Sequence, residues 1–277
     1  MPEMTNLLQQ ITSPETINKA WKQLNGDKAM WLPGISRAEM EKNPALHLLK
    51  LSDDIRNGTY HPCSVRLFPL KNAKGKQRTI AALFLRDKLA QKAVQSVLTP
   101  QMEKLFHQDS YGYRPGRSVD MAVNKTHEFI KCGMKWALDA DITKFFDSIP
   151  HRQLKKTVKK YVPHSPVQSL IFDWIKTGTP RTGIFQQRRG IPQGSIISPL
   201  LCNMFLTPFD NKLSARNLPF VRFADDFVVF TVSEKEAVKA RNYVDKLLKK
   251  MGLELHPGKT RIIPPDKQFI FLGKKIR

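Results

Sequence analysis

Two adjacent carboxylates lie inside an otherwise apolar segment, VRFADDFVVF at residues 221–230, which predicts a β-hairpin. Crowding charge into such a segment is costly unless something pairs with it, and hard divalent cations are bound through carboxylate oxygens. A third carboxylate, Asp141, has a similar setting in WALDADITKFFD at residues 136–147. Two acidic sites carried by strands that could meet predict a two-metal centre for phosphoryl or nucleotidyl transfer.

The composition points to a polyanionic partner. The 277 residues carry 46 Lys and Arg against 24 Asp and Glu, a formal net charge of +22, which favours nucleic acid over a merely basic surface. The length allows one large domain or two modest ones. Three scattered cysteines form no disulfide or zinc spacing, the N-terminus lacks a secretory pattern, and no apolar run approaches the ~20 residues of a membrane span. We therefore expect a cytoplasmic protein without a membrane partner.

Local patterns predict a mixture of helices and strands. Residues 65–83 predict a hairpin with a basic turn, and the pair Ser13-Pro14 predicts a helix start. Residues 198–213 and 234–251 predict helices that supply apolar faces to a core. Residues 261–263 and 269–272 predict a short strand pair that closes the chain.

Several segments, taken in order, resemble the motif series of reverse transcriptases. They are DITKFFD (141–147), GIPQGSIISP (190–199), FADD (223–226), LHPGKT (255–260) and FLG (271–273). GKQR (75–78) and YRPGRS (113–118) resemble the fingers of group II intron-type bacterial enzymes. One such motif alone would be weak, but six or more in order over residues 50–277 are specific.

The resemblance implies an α+β right-hand polymerase fold in which an antiparallel palm sheet packs on helices. We expect residues 1–50 to form an N-terminal helical extension, 51–135 the fingers, 155–195 partly fingers and palm, and 136–277 the palm. The chain stops four residues after FLG, so no thumb is expected, and no maturase extension. An RNA, a partner chain or a second copy would then take over the grip on the primer duplex.

The family's catalytic roles fall on residues of this sequence that match its motifs. Asp141 and Asp225 would bridge two Mg²⁺ ions, with Mn²⁺ as an alternative, and Asp226 would assist beside the primer end. Lys259 would approach the leaving pyrophosphate as a general acid; the alternative is a solvated surface lysine. Asp139 is expected to be a solvated strand residue.

The nucleotide-binding roles fall mainly on the fingers motifs. Lys76 and Arg78 would hold the dNTP triphosphate, since guanidinium and ammonium groups both bind phosphate. Gln193 and Gly194 would lie beside the templating pair, where glycine permits close backbone approach. Phe146 would act as the gate that excludes a 2′-hydroxyl, the alternative being an ordinary core phenylalanine.

Arginines supply the expected nucleic-acid contacts. Arg188 and Arg189 belong to the basic runs that would follow the template. Arg114 and Arg117 would contact the template backbone or, equally, order their own loop.

The predicted activity is RNA-directed DNA synthesis on an RNA template from a DNA or RNA primer. The architecture resembles free-standing bacterial enzymes that copy a dedicated non-coding RNA in anti-phage (antiviral) defence. Two alternatives stay open. One is an RNA-binding scaffold or maturase-like protein with a silent polymerase fold, and the other is an RNA-copying RNA polymerase, which Phe146 would disfavour.

Overall fold

The computed structural model describes residues 4–71, 77–177, 181–182, 185–186 and 188–277. The chain divides into two compact units, one of Met1–Lys104 with Leu154–Leu201, the other of Leu105–Gln153 with Cys202–Arg277. These units differ from the expected domain boundaries: residues 105–135, expected in the fingers, lie in the unit that contains most of the palm segment.

The secondary structure alternates between helices and strands along the whole chain. Within the described ranges the helices are α1 (Met4–Ile11), α2 (Pro14–Lys22), α3 (Arg37–Met40), α4 (Pro44–Arg56), α5 (Leu85–Glu103), α6 (Val119–Lys131), α7 (Phe145–Ser148), α8 (His151–Tyr161), α9 (Ser165–Thr177), α10 (Ser198–Ser214) and α11 (Glu234–Lys250). The strands are β1 (Arg66–Lys71), β2 (Gln77–Ala82), β3 (Trp136–Asp141), β4 (Arg181–Thr182), β5 (Phe185–Gln186), β6 (Phe220–Phe223), β7 (Asp226–Thr231), β8 (Arg261–Ile263), β9 (Phe269–Phe271) and β10 (Lys274–Ile276). No helix among them is long and apolar enough to span a bilayer.

The first unit is mainly helical. Helices α1 and α2 pack on α5 within this unit. The helix start predicted at Ser13-Pro14 is confirmed, because the Ser13 hydroxyl accepts a hydrogen bond from the Thr16 N–H at 3.1 Å. The predicted hairpin is also present: β1 and β2 pair antiparallel from Arg66 opposite Ala82 to Lys71 opposite Gln77.

The second unit is built on a four-stranded sheet with the strand order β6-β7-β3-β8, and every neighbouring pair is antiparallel. Helix α11 packs against β3 and β7, and α6 packs against β6 and β7. The predicted α+β class with an antiparallel palm sheet is therefore confirmed.

The strands at the end of the chain exist, but the predicted pairing between them is wrong. β8 joins β3 at the edge of the main sheet, whereas β9 pairs with β10. The reason is a two-residue turn at Leu272 and Gly273, both with positive φ (53° and 79°), which folds the chain back on itself directly after β9.

The loop before α6 belongs to the second unit because its backbone pairs with β6. The Tyr111 N–H donates to the Arg222 carbonyl at 2.8 Å, and the Arg222 N–H donates to the Asp109 carbonyl at 2.9 Å. Ala122 and Val123 of α6 are then buried in the same apolar cluster as strand residues of the sheet. This pairing explains why residues 105–135 lie with the sheet.

The strand register places the acidic residues on one face of the sheet. Asp141 lies opposite Asp226, and Asp139 lies opposite both Val228 and Arg261. Directly opposed residues share a face, and residues two apart on one strand do so as well. Asp139, Asp141 and Asp226 consequently project to one side.

The other face of the sheet packs on a helix. Phe227 follows Asp226 in β7 and therefore projects to the opposite side. Its ring contacts Phe209 of α10 with the centroids 5.2 Å apart. Helix α10 thus supports the sheet from behind the acidic face.

Candidate active site

The adjacent carboxylates occupy a tight turn between β6 and β7. Phe223 pairs with Asp226, so the turn itself consists of Ala224 and Asp225. Ala224 has φ +59°, and Asp225 is not among the residues with positive φ. This is the pattern of a type II′ hairpin turn, whose first central position favours glycine. An alanine held there stores backbone strain, which is common at functional sites.

The surroundings of Asp226 raise the pKa of its carboxyl group. Burial is the largest cause, and the negative charges of Asp139, Asp141 and Asp225 add to it, so that its pKa rises from 3.8 to about 7. Lys259 opposes this shift only in part. The protein alone therefore does not neutralise the acidic group that β3 and the turn bring together.

Lys259 lies on the acidic group itself. Its ammonium contacts the Asp141 carboxylate, and its side chain is 51% exposed. The preceding loop is tied to the end of β3, because the His256 N–H donates to the Asp141 carbonyl at 2.8 Å and Ile142 bridges to Leu255. A lysine more than a hundred residues away in sequence thereby reaches the carboxylate.

The expectation for Asp139 is wrong. Its side chain is buried, and Arg261 from β8 donates to it at 2.9 Å. Burial raises the pKa of Asp139, and the Arg261 guanidinium partly offsets that rise. Because residues 261–263 were expected to pair with residues 269–272, this ion pair could not be predicted.

The two phenylalanines after β3 face different surroundings. Phe145 is fully buried, whereas Phe146 is partly exposed. The ring of Phe146 meets Tyr113 edge-on with centroids 6.4 Å apart, and Tyr113 is itself 53% exposed. Phe145 is therefore the core residue of the pair, and Phe146 stays accessible on the surface of the second unit.

In the first unit, the turn at residues 192–195 lies against β2. The Ala81 N–H donates to the Gln193 carbonyl at 2.7 Å. Gly194 has φ +97°, and a Cβ placed there would lie 2.8 Å from the Ala81 carbonyl oxygen. Glycine is thus required twice at Gly194, by its backbone angle and by the close approach of β2.

The acidic residues of the second unit and the turn at Gly194 in the first unit both lie within a segment that matches a known family. Residues 69–276 match the family model described as reverse transcriptase (RNA-dependent DNA polymerase). The chain belongs to this family.

Individual relatives agree with this assignment. Protein YkfC of Escherichia coli K12 is 30% identical over 316 aligned residues, covering 98% of this chain and 82% of YkfC. The group II intron-encoded protein LtrA of Lactococcus lactis subsp. cremoris is 29% identical, covering 79% of this chain and 37% of LtrA. A solved chain of a partial Cas6-RT-Cas1–Cas2 complex matches with a TM-score of 0.51 and 29% identity, covering 88% of this chain and 41% of that one.

The chain therefore spans about two fifths of LtrA and of the solved chain. Together with the motif order, these matches confirm the resemblance to bacterial reverse transcriptases of the group II intron type.

The arginines of this reverse transcriptase differ in their exposure and in their hydrogen-bond partners. Arg114 is buried and donates to the carbonyls of His107 and Ser110, both at 2.6 Å. Arg117 donates to a carbonyl of its own loop and lies over a tyrosine ring. The geometry of both supports the alternative in which they order the loop. Arg188 and Arg189 are exposed.

The structure does not describe the side chains of the two residues that are expected to hold the triphosphate. Lys76 lies outside the described residues. Arg78 lies in β2, where its backbone pairs opposite Leu70, and its side chain is outside what the structure describes.

Motif comparison missed a glutamine that organises the turn before α10. Gln91 of α5 is buried, and its Oε1 accepts hydrogen bonds from the Ser195 hydroxyl at 2.7 Å and the Ile196 N–H at 2.9 Å. The sequence offers no local signal for Gln91, because α5 carries many other polar residues. Gln91 therefore fixes the segment that follows Gly194.

The acidic group suits magnesium held jointly with a substrate. In the described part of the chain, no three acidic, histidine or cysteine side chains form a ready-made metal cage. Mg²⁺ usually binds through one or two carboxylates and takes its remaining oxygens from phosphates and water. Asp141, Asp225 and Asp226 carry oxygens of the kind that Mg²⁺ prefers, and burial with the neighbouring negative charges raises the pKa of Asp226.

Proposed function

We propose that this reverse transcriptase is an active RNA-directed DNA polymerase that adds deoxynucleotides by two-metal nucleotidyl transfer. The observation that carries the proposal is the position of Asp141 directly opposite Asp226, with Asp225 in the adjoining turn. Burial, together with the charges of Asp139, Asp141 and Asp225, raises the pKa of Asp226 to about 7. A scaffold that only binds a polyanion gains nothing from clustered carboxylates. An enzyme that recruits divalent cations together with a nucleotide does gain from them.

The carboxylates of Asp141, Asp225 and Asp226 would hold two Mg²⁺ ions. When bound, these ions activate the attacking oxygen and stabilise the leaving group. In the reaction the primer 3′-hydroxyl gives its proton to solvent and its oxygen bonds to the α-phosphorus of the dNTP. The bond between that phosphorus and the oxygen that bridges to the β-phosphate breaks, and pyrophosphate leaves. Lys259, whose side chain is half-exposed, would release Asp141 and give a proton to the pyrophosphate.

The deoxy preference would rest on Phe146. Its partly exposed ring, positioned by the fully buried Phe145 beside it and by Tyr113, is able to contact a sugar, whereas a core phenylalanine could not. This favours DNA synthesis over the alternative of RNA synthesis. In the first unit, Gln193 and Gly194 would lie beside the templating pair, with Lys76 and Arg78 on the triphosphate.

We further propose that the template is a dedicated non-coding RNA used in anti-phage defence. A net charge of +22 exceeds what a single active site needs, and Arg188 and Arg189 are exposed, as a contact with a phosphate backbone requires. The similar chain in the Cas6-RT-Cas1–Cas2 complex is found with other proteins. A partner chain, a structured RNA or a second copy would in the same way share in binding the primer duplex.

The deciding experiment purifies the protein with its own nucleic acid, sequences that RNA, and supplies labelled dNTPs with Mg²⁺. The test variant is Asp225→Ala/Asp226→Ala. The matched control is Asp245→Ala, because Asp245 is a partly exposed acid that pairs with Lys249 one helical turn away.

Labelled DNA from the wild type and the control, with none from the double variant, supports the polymerase. Bound RNA with no DNA from any of the three proteins favours the scaffold and rejects the proposal. RNA-free protein that copies any primed template equally well supports the polymerase but rejects the dedicated RNA.

A further inference from the structure

A fully buried ion pair lies behind the turn that carries Asp225. Arg222 of β6 and Asp210 of α10 have no exposed side-chain surface. The guanidinium forks onto the carboxylate, with Nε to Oδ1 at 2.8 Å and Nη2 to Oδ2 at 2.6 Å. Arg222 neighbours Phe223 on the strand and lies opposite Phe227, so it projects away from the acidic face.

The remaining nitrogen of this guanidinium holds the turn itself. Nη1 of Arg222 donates to the Ala224 carbonyl at 2.9 Å and to the Asn203 side-chain oxygen at 3.1 Å. The Asn203 amide nitrogen in turn donates to the Gly112 carbonyl at 2.8 Å. One connected set of hydrogen bonds therefore joins α10, the loop before α6 and the turn.

The loop backbone lies directly against the turn. A Cβ at Gly112 would be 2.4 Å from the Ala224 nitrogen and 3.0 Å from the Phe223 carbonyl carbon. Backbone atoms cannot yield as a flexible side chain can, so only glycine allows this contact. Ala224 is thus held from two sides, by Arg222 at its carbonyl and by the Gly112 backbone at its nitrogen.

Stability alone does not explain such a network. Apolar residues of similar volume often replace a buried ion pair without loss of stability, whereas removing one partner leaves an uncompensated charge. The positive φ of Ala224 is unfavourable for a residue with a Cβ, so the turn keeps this conformation only where its surroundings impose it. The network acts at that residue, one position before Asp225.

We propose that Arg222, supported by Asp210 and Asn203, is a positioning residue that holds the Ala224–Asp225 turn in its strained conformation. It thereby fixes the Asp225 carboxylate for a divalent cation. The proposal rests on the function proposed above for Asp225. It adds three residues on the far face of the sheet that touch neither cation nor nucleotide.

The test combines three variants with one control. Arg222→Met/Asp210→Leu removes both charges together and leaves no buried charge unpaired. Arg222→Lys keeps a positive charge beside Asp210 but cannot fork and also reach Ala224. Asn203→Leu removes the bridge to Gly112 and leaves the ion pair in place. Thr207→Val, which removes a buried hydroxyl of the same helix, is the control for general damage to α10.

The readouts are Mn²⁺ binding followed by electron paramagnetic resonance, and amide hydrogen exchange of the turn. Loss of one buried hydrogen bond to the turn should weaken Mn²⁺ binding about tenfold and speed exchange at Asp225 and Asp226 about tenfold. We expect both changes in the three test variants and neither in Thr207→Val. The melting temperature of Arg222→Lys should be close to that of the wild type, whereas its Mn²⁺ binding should be weaker. An ion pair that only stabilised the fold would not separate these two readouts.

Wild-type Mn²⁺ affinity and exchange in Arg222→Lys and Asn203→Leu would overturn the proposal, even if the double variant fails to fold. A wild-type protein that makes no DNA would reject the polymerase function alone, because both readouts are measured without substrate. The two failures are therefore separable.

Discussion

Replacing Asp226 by asparagine should stabilise the metal-free protein while abolishing its chemistry. In the folded protein the pKa of Asp226 is about 7, above its ordinary value of 3.8. Between these two values the folded state binds a proton that the unfolded state has released. The free energy of unfolding therefore falls as pH rises from about 4 to 7, and the full loss remains above pH 7.

The size of the loss follows from the shift. Each pKa unit corresponds to about 1.4 kcal/mol, so Asp226 destabilises the metal-free protein by up to about 4 kcal/mol at pH 8. Asparagine has nearly the same shape as the protonated acid and carries no charge at any pH. With a urea dependence of about 3 kcal/mol per molar, the unfolding midpoint of Asp226→Asn should lie about 1 M above that of the wild type.

The assay is urea unfolding in EDTA at pH 4 and pH 8, with Asp147→Asn as the matched control because Asp147 is exposed on α7. The difference between the unfolding midpoints of Asp226→Asn and the wild type should be near its maximum at pH 8 and vanish near pH 4. Saturating Mg²⁺ at pH 8 should narrow the gap, since the cation neutralises the wild-type carboxylates. An equal advantage at both pH values, or one that Mg²⁺ leaves unchanged, would refute the electrostatic reasoning.

Three further changes test other parts of the molecule. Gly194→Ala should raise the KM for dNTP about tenfold and destabilise the first unit by about 1–3 kcal/mol, because φ is +97° and the new Cβ would lie 2.8 Å from the Ala81 carbonyl oxygen. Steady-state kinetics and thermal melting measure the two effects, and an unchanged KM would contradict the prediction. Phe146→Ala should increase ribonucleotide incorporation relative to deoxynucleotide, measured by competition on one primed template, and unchanged selectivity would reject the gate. Tyr60→Phe should lower stability by about 1–3 kcal/mol without altering selectivity, because the buried Tyr60 hydroxyl donates to Asp87 at 2.8 Å; a neutral effect in thermal unfolding would show that water replaces this bond.

Much of the acidic site could be predicted from local sequence. The FADD segment combines strand-forming residues with two carboxylates, and DITKFFD places another at the end of a strand. Alternation along each strand then determines which residues share a face once the register is known. The antiparallel sheet, the hairpin of β1 and β2 and the inward position of one phenylalanine of the pair follow from the same local rules.

The long-range partners could not be predicted in this way. Asp139 seemed a solvated strand residue, but it is buried against Arg261, 122 residues further along the chain. The sequence leaves open whether Arg114 contacts the template or orders its own loop, and only the fold shows its guanidinium donating to carbonyls of that loop. The role of Gln91 could not be predicted, because only the fold shows which polar residue of α5 is buried against the turn at residues 192–195.

The sequence by itself determined the chemistry of this protein, namely hard oxygen ligands, a strongly basic chain and the ordered motifs of a reverse transcriptase. Those properties belong to residue types and short spacings, which need no folding to be recognised. Only the tertiary structure decided which charges are buried, that Lys259 lies on Asp141, and that Arg222 holds the turn from behind the sheet. The free energy of a charge depends on what surrounds it, and those surroundings come from distant segments whose pairing no local pattern encodes.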